Sequence, residues 1–146
     1  MGKILSVNIS TGKSVKKHNV NSCTALFDYG LEHDAHAGTE LRQISLLASE
    51  SIEKIRQKGL NVQYGDFAEN LTTEGIELYT LPLGTKLQVG KNVLLQITKI
   101  GKECPKPCAI FYAVGDCVMP REGIFARVLT AGTISIGDNI TICENL

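Results

Sequence analysis

The chain has 146 residues, a length typical of one domain with its own hydrophobic core. Lysine plus arginine and aspartate plus glutamate number 15 each, so no overall charge favours binding to nucleic acid or to an anionic membrane surface. No apolar run approaches the ~20 residues of a membrane span.

The N-terminus and the cysteines predict the cellular compartment. The apolar run after Met1 is too short for a secretory signal, so we expect a cytoplasmic protein. In that reducing compartment the five cysteines are predicted to be ligands, nucleophiles or core residues rather than disulfides. The first twenty residues are locally basic, and we expect their lysines to be solvated: Lys3, Lys13, Lys16 and Lys17.

Strands and one longer helix are predicted in the first two thirds of the chain. The stretch ILSVNIS, residues 4–10, alternates apolar and polar residues and predicts a half-buried strand. A helix is predicted over SLLASESIEKIRQKG, residues 45–59, whose apolar residues recur at helical spacing and which ends at Gly59. The stretch TKLQVGKNVLLQITKI, residues 85–100, predicts a hairpin that turns at residues 90–92.

The last third adds a short helix and a second hairpin. The helix is predicted over CAIFYAVGD, residues 108–116, directly after Pro107. The segments FARVL, TISI and ITI, separated by turns that contain glycine, predict the hairpin. Short strands separated by glycine turns predict a mainly β fold, a barrel or a compact sandwich, with a few short helices.

Three of the cysteines lie in one stretch, GKECPKPCAIFYAVGDC, residues 101–117. If Pro107 opens a helix, Cys108 lies in the first turn, where unpaired N–H groups and the helix dipole lower the pKa of a thiol. Lys102 and Lys106 act in the same direction, and a thiolate binds a soft metal or attacks an electrophile. Cys104 is presented on the same loop and is a second candidate for this role.

The other cysteines are less informative. Cys117 either returns to the same cavity or fills core space, and Cys23 and Cys143 are predicted to be inert. A structural zinc site commonly uses two close pairs of ligands. Only one pair is visible in this sequence, so we do not predict zinc.

A polar loop and three arginines form a second group of candidates. GLEHDAHAG, residues 30–38, places His33, Asp34 and His36 between two glycines, where a histidine can donate to an oxyanion. A solvated histidine is the alternative, above all for His33. Guanidiniums suit a phosphate, a pterin or an oxyanion, and three occur in RQISLL and PREGIFARV: Arg42, Arg121 and Arg127. If they converge, these residues make a pocket for an anionic ligand.

Five segments resemble the MOSC domain, the family named after the C-terminal part of molybdenum cofactor sulfurases: GLEHDAHAG, RQISLLA, GDFAENLTTEGI, LPLGTKLQVG and GKECPKPCAIFYAVGDCVMPREGIFARVL. The similarity runs from about Lys3 to about Ile142, and we interpret residues 1–146 as a single MOSC domain. The resemblance implies a closed, mixed β-barrel of the pyruvate-kinase-barrel type with a few short helices. His33 stands where the family pattern has glycine.

The resemblance also implies molybdenum-related chemistry. Family members bind the molybdenum cofactor, a pyranopterin phosphate that carries molybdenum or tungsten on a dithiolene, or handle sulfur destined for it. The family's functional cysteine corresponds to Cys108, as metal ligand, or in a second pattern to Cys104. The residues implied as cofactor-binding are His36, Asp34, Arg42, Asn70, Arg121 and Arg127.

Three functions are compatible with this resemblance. The first is binding of the cofactor, for handling or delivery, through the Cys108 thiolate and a basic pocket. The second is a sulfur carrier that holds a persulfide on Cys108 or Cys104, supplied by a cysteine desulfurase or a cofactor-assembly enzyme. The third is a non-catalytic module that binds such an enzyme. A sulfur-transfer or molybdenum-dependent activity stays open, but we identify no lysine for pyridoxal phosphate and expect no aminotransferase-like domain.

Overall fold

The computed structural model describes residues 2–12, 16–35, 37–38, 42–101 and 118–143. The strands of this part of the chain are β1 Gly2–Ile9, β2 His18–Val20, β3 Ser22–Leu26, β4 Gly30–Leu31, β5 Ile44–Ala48, β6 Leu71–Glu74, β7 Lys86–Val89, β8 Val93–Ile100, β9 Ile124–Thr130, β10 Gly132–Ser135 and β11 Asn139–Cys143. The helices are α1 Ser49–Arg56 and the single turn α2 Met119–Glu122, with a 3₁₀ turn at Leu78–Thr80.

Seven of these strands close into a barrel. Their order is β11-β7-β8-β9-β5-β6-β1, and β1 pairs again with β11, where Gly2 lies opposite Ile140. The pair β5–β6 is parallel and the other pairs are antiparallel, so the barrel is mixed. Strand β2 pairs with the end of β1, and β10, β3 and β4 form a separate small sheet. The predicted fold, a closed mixed β-barrel with a few short helices, is confirmed.

The interior of the barrel is filled with aliphatic side chains. Alternate residues of β9 point inward, where Ile124, Ala126 and Val128 are buried in the main hydrophobic cluster. A second cluster covers the outer surface of the barrel beside α1. Its buried members are Leu47, Ile52, Ile55, Val62, Phe67, Val118 and Phe125.

The helix predicted over residues 45–59 begins at Ser49 in the structure, four residues after its predicted start. Residues 44–48 form β5, which is buried on both faces because its inner side chains enter the barrel while Leu47 packs on the outside against Ile52 and Ile55 of α1. A strand that is buried on both faces has a continuous apolar run, which local periodicity does not distinguish from a buried helix. The predicted stop is close to the observed one, since α1 ends at Arg56 and Gly59 has a φ of 97°.

The two predicted hairpins had different outcomes. The first is confirmed, because β7 and β8 pair around the turn at residues 90–92, with Leu87 opposite Leu95. The strands of the second exist, but their pairing differs: β10 pairs with β3, and β11 pairs with β7 and β1. Turn residues identify where a strand ends but do not identify its partner. The short helix predicted over residues 108–116 lies outside the described residues.

Truncating a side chain inside the barrel should destabilise the fold. Leu95 is fully buried, so we expect Leu95→Ala to lower the free energy of unfolding by about 2–5 kcal/mol, through lost apolar burial and the cavity left behind. Leu83→Ala removes the same atoms from a side chain that is 62 % exposed. We expect it to change the free energy of unfolding by less than about 0.5 kcal/mol. Urea denaturation of both variants tests this, and equal losses would contradict the interior position of Leu95.

Candidate functional site

Strand β9 presents the candidate Arg127, and with it Phe125, to the outside of the barrel. Because Ile124, Ala126 and Val128 point inward, Phe125 and Arg127 between them point outward. Phe125 lies opposite Ser45 of β5 on one side and Lys99 of β8 on the other. We call the surface formed by Phe125, Arg127 and the segment 42–45 beside them the β9 outer face.

Arg127 is held on the β9 outer face by polar neighbours. Its guanidinium donates to Asp28 Oδ1 at 2.8 Å, and the Gln43 side-chain amide donates to the same oxygen at 2.8 Å. The hydrogen bond from Gln43, together with Arg127, holds the pKa of Asp28 below its ordinary value. Gln43 also accepts from the backbone N–H of Val128 at 2.9 Å. Arg127 Nε is buried and lacks a hydrogen-bond partner among the described residues.

Arg42 reaches the same face from the preceding loop. Its guanidinium carbon lies 5.5 Å from the centre of the Phe125 ring, in cation–π geometry. Phe125 packs in one cluster with Val118. Arg42 lies two residues before β5, and Val118 lies directly before α2. The ring of Phe125 therefore lies where the chain enters both of these elements.

The predicted residues Cys104, Cys108 and His36 lie outside the described residues, and so does Cys117. Strand β8 ends at Ile100, and the N–H of the next residue, Gly101, donates to the backbone oxygen of Gly123 at 2.6 Å. The described residues on either side of the cysteine-containing stretch, Gly101 and Val118, thus lie beside the start of β9. The roles of these residues stay predictions.

Arg121 is exposed on α2 rather than on β9. The next residue, Glu122, attaches α2 to α1: its carboxylate accepts from Ser51 Oγ at 2.5 Å and from Lys54 Nζ at 2.9 Å. The position of Arg121, four residues before Phe125, places it at the same end of β9. The structure thus brings Arg42 and Arg127 together on one face, with Arg121 on the adjoining helix.

Asp34 and Asn70 are in direct contact, but both are buried. Asp34 Oδ2 accepts from Asn70 Nδ2 at 3.1 Å, and Asp34 Oδ1 accepts from the Ser10 backbone N–H at 2.9 Å. Asn70 Oδ1 accepts from the Ser45 backbone N–H at 2.9 Å, on the strand next to β9. These contacts connect the loop at residues 30–38 to the β9 outer face.

The expectation that the N-terminal lysines are solvated is wrong for Lys17. Its ammonium group bonds to Asp34 Oδ1 at 2.9 Å, and its side chain is only 2 % exposed. Lys3 and Lys16 are exposed as expected, with Lys16 paired to Asp66 at the surface. Lys13 lies outside the described residues. A sequence pattern signals charge but does not show which cation has a buried carboxylate within reach.

His33 adopts a backbone conformation that favours glycine. Its φ is 68°, in the left-handed region, and its side chain is exposed beside Glu32. The loop therefore retains the geometry expected of a glycine at this position, although histidine occupies it. Exposure of His33 agrees with the solvated alternative.

The remaining described cysteines are half-buried. Burial raises the pKa of Cys23, which favours the thiol and opposes reactivity, as predicted for this residue. Within the described ranges, no group of three or more histidine, cysteine, aspartate or glutamate side chains is placed to hold a metal ion. Among the same residues, none of the helices has the length and apolar character needed to cross a membrane.

Comparisons with known proteins identify the family. The model of the MOSC domain matches residues 33–141, about three quarters of the chain. The chain belongs to the MOSC domain family. This family is associated with proteins related to the molybdenum cofactor. A search of curated proteins found no match.

Solved structures share the MOSC fold. YuaD from Bacillus subtilis is 20 % identical with a TM-score of 0.77, and the match covers 96 % of this chain and 94 % of that one. YiiM from Geobacillus stearothermophilus is 21 % identical with a TM-score of 0.74, covering 99 % and 76 %. YiiM from Escherichia coli is 19 % identical with a TM-score of 0.67, covering 98 % and 71 %. At these identities the likeness concerns the fold alone.

A buried carboxyl next to Asn70 was not predicted from the sequence. Glu69 is fully buried and accepts from the backbone N–H groups of Gly65 and Phe67, at 3.0 and 3.2 Å, and from Thr72 Oγ1 at 2.7 Å. These bonds hold the segment at residues 65–69 that precedes Asn70, whose side chain bonds to Ser45. Burial nevertheless raises the pKa of Glu69 above its ordinary value of 4.5.

The raised pKa of Glu69 should make stability depend on pH. The folded protein holds a proton on this carboxyl more tightly than the unfolded chain, so stability is lost as the pH rises from 4.5 through the raised pKa. Glu69→Gln has no such proton. We expect the free energy of unfolding of the wild type, relative to Glu69→Gln, to be larger at about pH 4 than at about pH 8. Urea denaturation across this range measures the difference, and a constant difference would contradict the shift.

Proposed function

We propose that the protein binds the molybdenum cofactor, with molybdenum or tungsten as its metal, for handling or delivery of that cofactor. The observation that carries the proposal is the pair of guanidiniums on the β9 outer face. Arg42 lies over Phe125, and Arg127 projects from the same strand two residues later. Phe125, under Arg42, packs with Val118, the residue that directly follows the stretch containing Cys104 and Cys108.

The described residues fit an anionic ligand. Arginine presents a planar set of N–H donors that matches phosphate and other oxyanions. Arg127 contacts Asp28 through one terminal nitrogen, while its buried Nε has no partner among the described residues, so its donors are only partly used. Arg42 is held over an aromatic ring but remains exposed at the surface. A phosphate or a pterin oxygen at this face would meet two guanidiniums, one of which also pairs with the Asp28 carboxylate.

Each residue has a distinct role in the proposed site. Cys108 is the proposed metal ligand, with Cys104 as the alternative. The guanidiniums of Arg42, Arg127 and Arg121 are proposed to hold the phosphate and the pterin, and His36 to donate to an oxygen of the ligand. When bound, the cofactor supplies redox and sulfur chemistry at its metal. The chain's own residues bind and orient it.

Asp34 and Asn70 are proposed to act on the shape of this site. The carboxylate of Asp34 and the amide of Asn70 already bond to protein groups on both of their polar atoms. They link the loop at residues 30–38 to Ser45, which lies opposite Phe125. Their replacement should therefore change the placement of the loop before it removes a ligand contact.

Cofactor retention by cysteine variants tests the proposal. Wild type, Cys108→Ser, Cys104→Ser and Cys143→Ser are purified from a host that makes the cofactor, and molybdenum and oxidised pterin are measured per folded protein. We expect the variant that lacks the functional cysteine to retain about tenfold less molybdenum and pterin than the wild type, because serine removes the soft ligand. Cys143→Ser is the matched control, since Cys143 lies on β11, and it should retain as much as the wild type.

Two results would count against the proposal. If the wild type retains no more metal and pterin than both Cys108→Ser and Cys104→Ser, cofactor binding through a thiolate is wrong. If the wild type instead gains one sulfur atom on Cys108 or Cys104 after incubation with a cysteine desulfurase and cysteine, measured by mass spectrometry, the sulfur-carrier function replaces it.

A further inference from the structure

Lys17 is a charged residue in an unusual place. Its ammonium lies 2.9 Å from Asp34 Oδ1, and the two side chains are 2 % and 0 % exposed. It belongs to the short segment before β2, whereas Asp34 belongs to the loop after β4. The pair therefore joins two segments that are separate in the chain.

A buried ion pair is a poor source of stability. Removing two charges from water costs several kcal/mol per ion, and the attraction between them often does no more than offset that loss, so apolar replacements of similar volume are often as stable. What such a pair contributes is geometry, because each charge must stay opposite the other. Loss of one partner is severe, since the remaining charge is buried without compensation.

The carboxylate of Asp34 contacts three partners from different parts of the chain. Its Oδ1 meets Lys17 and the N–H of Ser10, at the end of β1, and its Oδ2 meets Asn70. Asn70 in turn bonds to Ser45 on β5. The carboxylate thus fixes the position of the loop between the end of β1 and the strand next to β9.

The rest of the loop is fitted to this position. The N–H of Ala35 donates to the Ser10 oxygen at 2.7 Å, and the N–H of Gly38 donates to the Tyr29 oxygen at 2.7 Å. At Gly30, a Cβ would lie 2.5 Å from the backbone oxygen of Gln43, so this end of the loop packs directly against the segment that carries Arg42. A displaced Asp34 would therefore shift the loop relative to Arg42 and Gln43.

We propose that Lys17 is a positioning residue of the cofactor site. Its ammonium holds Asp34 in place, and Asp34 holds the loop at residues 30–38 against the segment at residues 42–45. The inference rests on the proposed function, because the purpose of this placement is the binding of the cofactor at the β9 outer face.

Hydrogen exchange tests the positioning without any cofactor. In Lys17→Met the amides of Ala35 and Gly38 should exchange about tenfold faster or more, because the carboxylate left without its cation releases the loop. Lys16→Met is the matched control, since it removes a neighbouring lysine whose own side chain is 74 % exposed. It should leave both loop amides as in the wild type.

Removing the second charge should restore part of the protection. In Lys17→Met/Asp34→Asn no buried charge is left unpaired, so the loop amides should exchange more slowly than in Lys17→Met. If Lys17→Met does not fold, Asp34→Asn alone provides the comparison, since it breaks the same pair from the other side. Unchanged exchange at Ala35 and Gly38 in the variant that folds would overturn the inference.

Cofactor retention separates positioning from general stability. Val89→Ala makes a cavity in β7, on a part of the barrel away from the loop, and serves as a control of reduced stability. Per folded protein, Lys17→Met should retain at least about tenfold less molybdenum and pterin, and Val89→Ala as much as the wild type. If Lys17→Met releases the loop but retains the cofactor, the positioning role is wrong. If the wild type itself retains none, the proposed function fails, and the exchange data alone decide whether Lys17 positions the loop.

Discussion

Closure of the barrel dictates where every outward-facing residue and every loop can lie. Once β1 pairs with β11, the sheet has no free edge along its seven strands, and alternate side chains must fill the interior. Those side chains are aliphatic and fully buried, as Leu87, Leu95 and Val128 illustrate. A site for a polar ligand has to be built on the outside, from outward-facing residues and the loops that cover them.

The outer surface divides into an apolar and a polar part. Beside α1, Leu47 and Phe125 pack under Ile52 and Ile55, so that β5 is buried on both faces. Where this cluster ends, Arg42 covers the Phe125 ring and Arg127 follows on the same strand. The Phe125 ring lies between the apolar cluster and the arginine side chains, and the guanidinium of Arg42 packs on it.

Buried ionisable side chains lie beside Asn70, which bonds to β5 of this site. The Lys17–Asp34 pair and the Glu69 carboxyl lie on either side of Asn70, each with hydrogen bonds to backbone groups. Such groups lose hydration on folding, which argues against a purely stabilising role. They hold the loop at residues 30–38 and the segment at residues 65–70 in a single arrangement next to β5, as pre-organisation of a ligand site requires.

Much of the β class and of the first hairpin could be predicted from the sequence, because both depend on local signals: alternation along β7 and β8, and a glycine turn at residues 90–92. The candidate arginines could also be named from their residue type. Only the tertiary structure decided which strands pair, that residues 44–48 form a strand, that Lys17 is buried, and that Arg42 and Arg127 share a face. These features depend on contacts between distant residues, such as Asp34 and Asn70, 36 positions apart, and no local pattern encodes which partner a strand or a charge will meet.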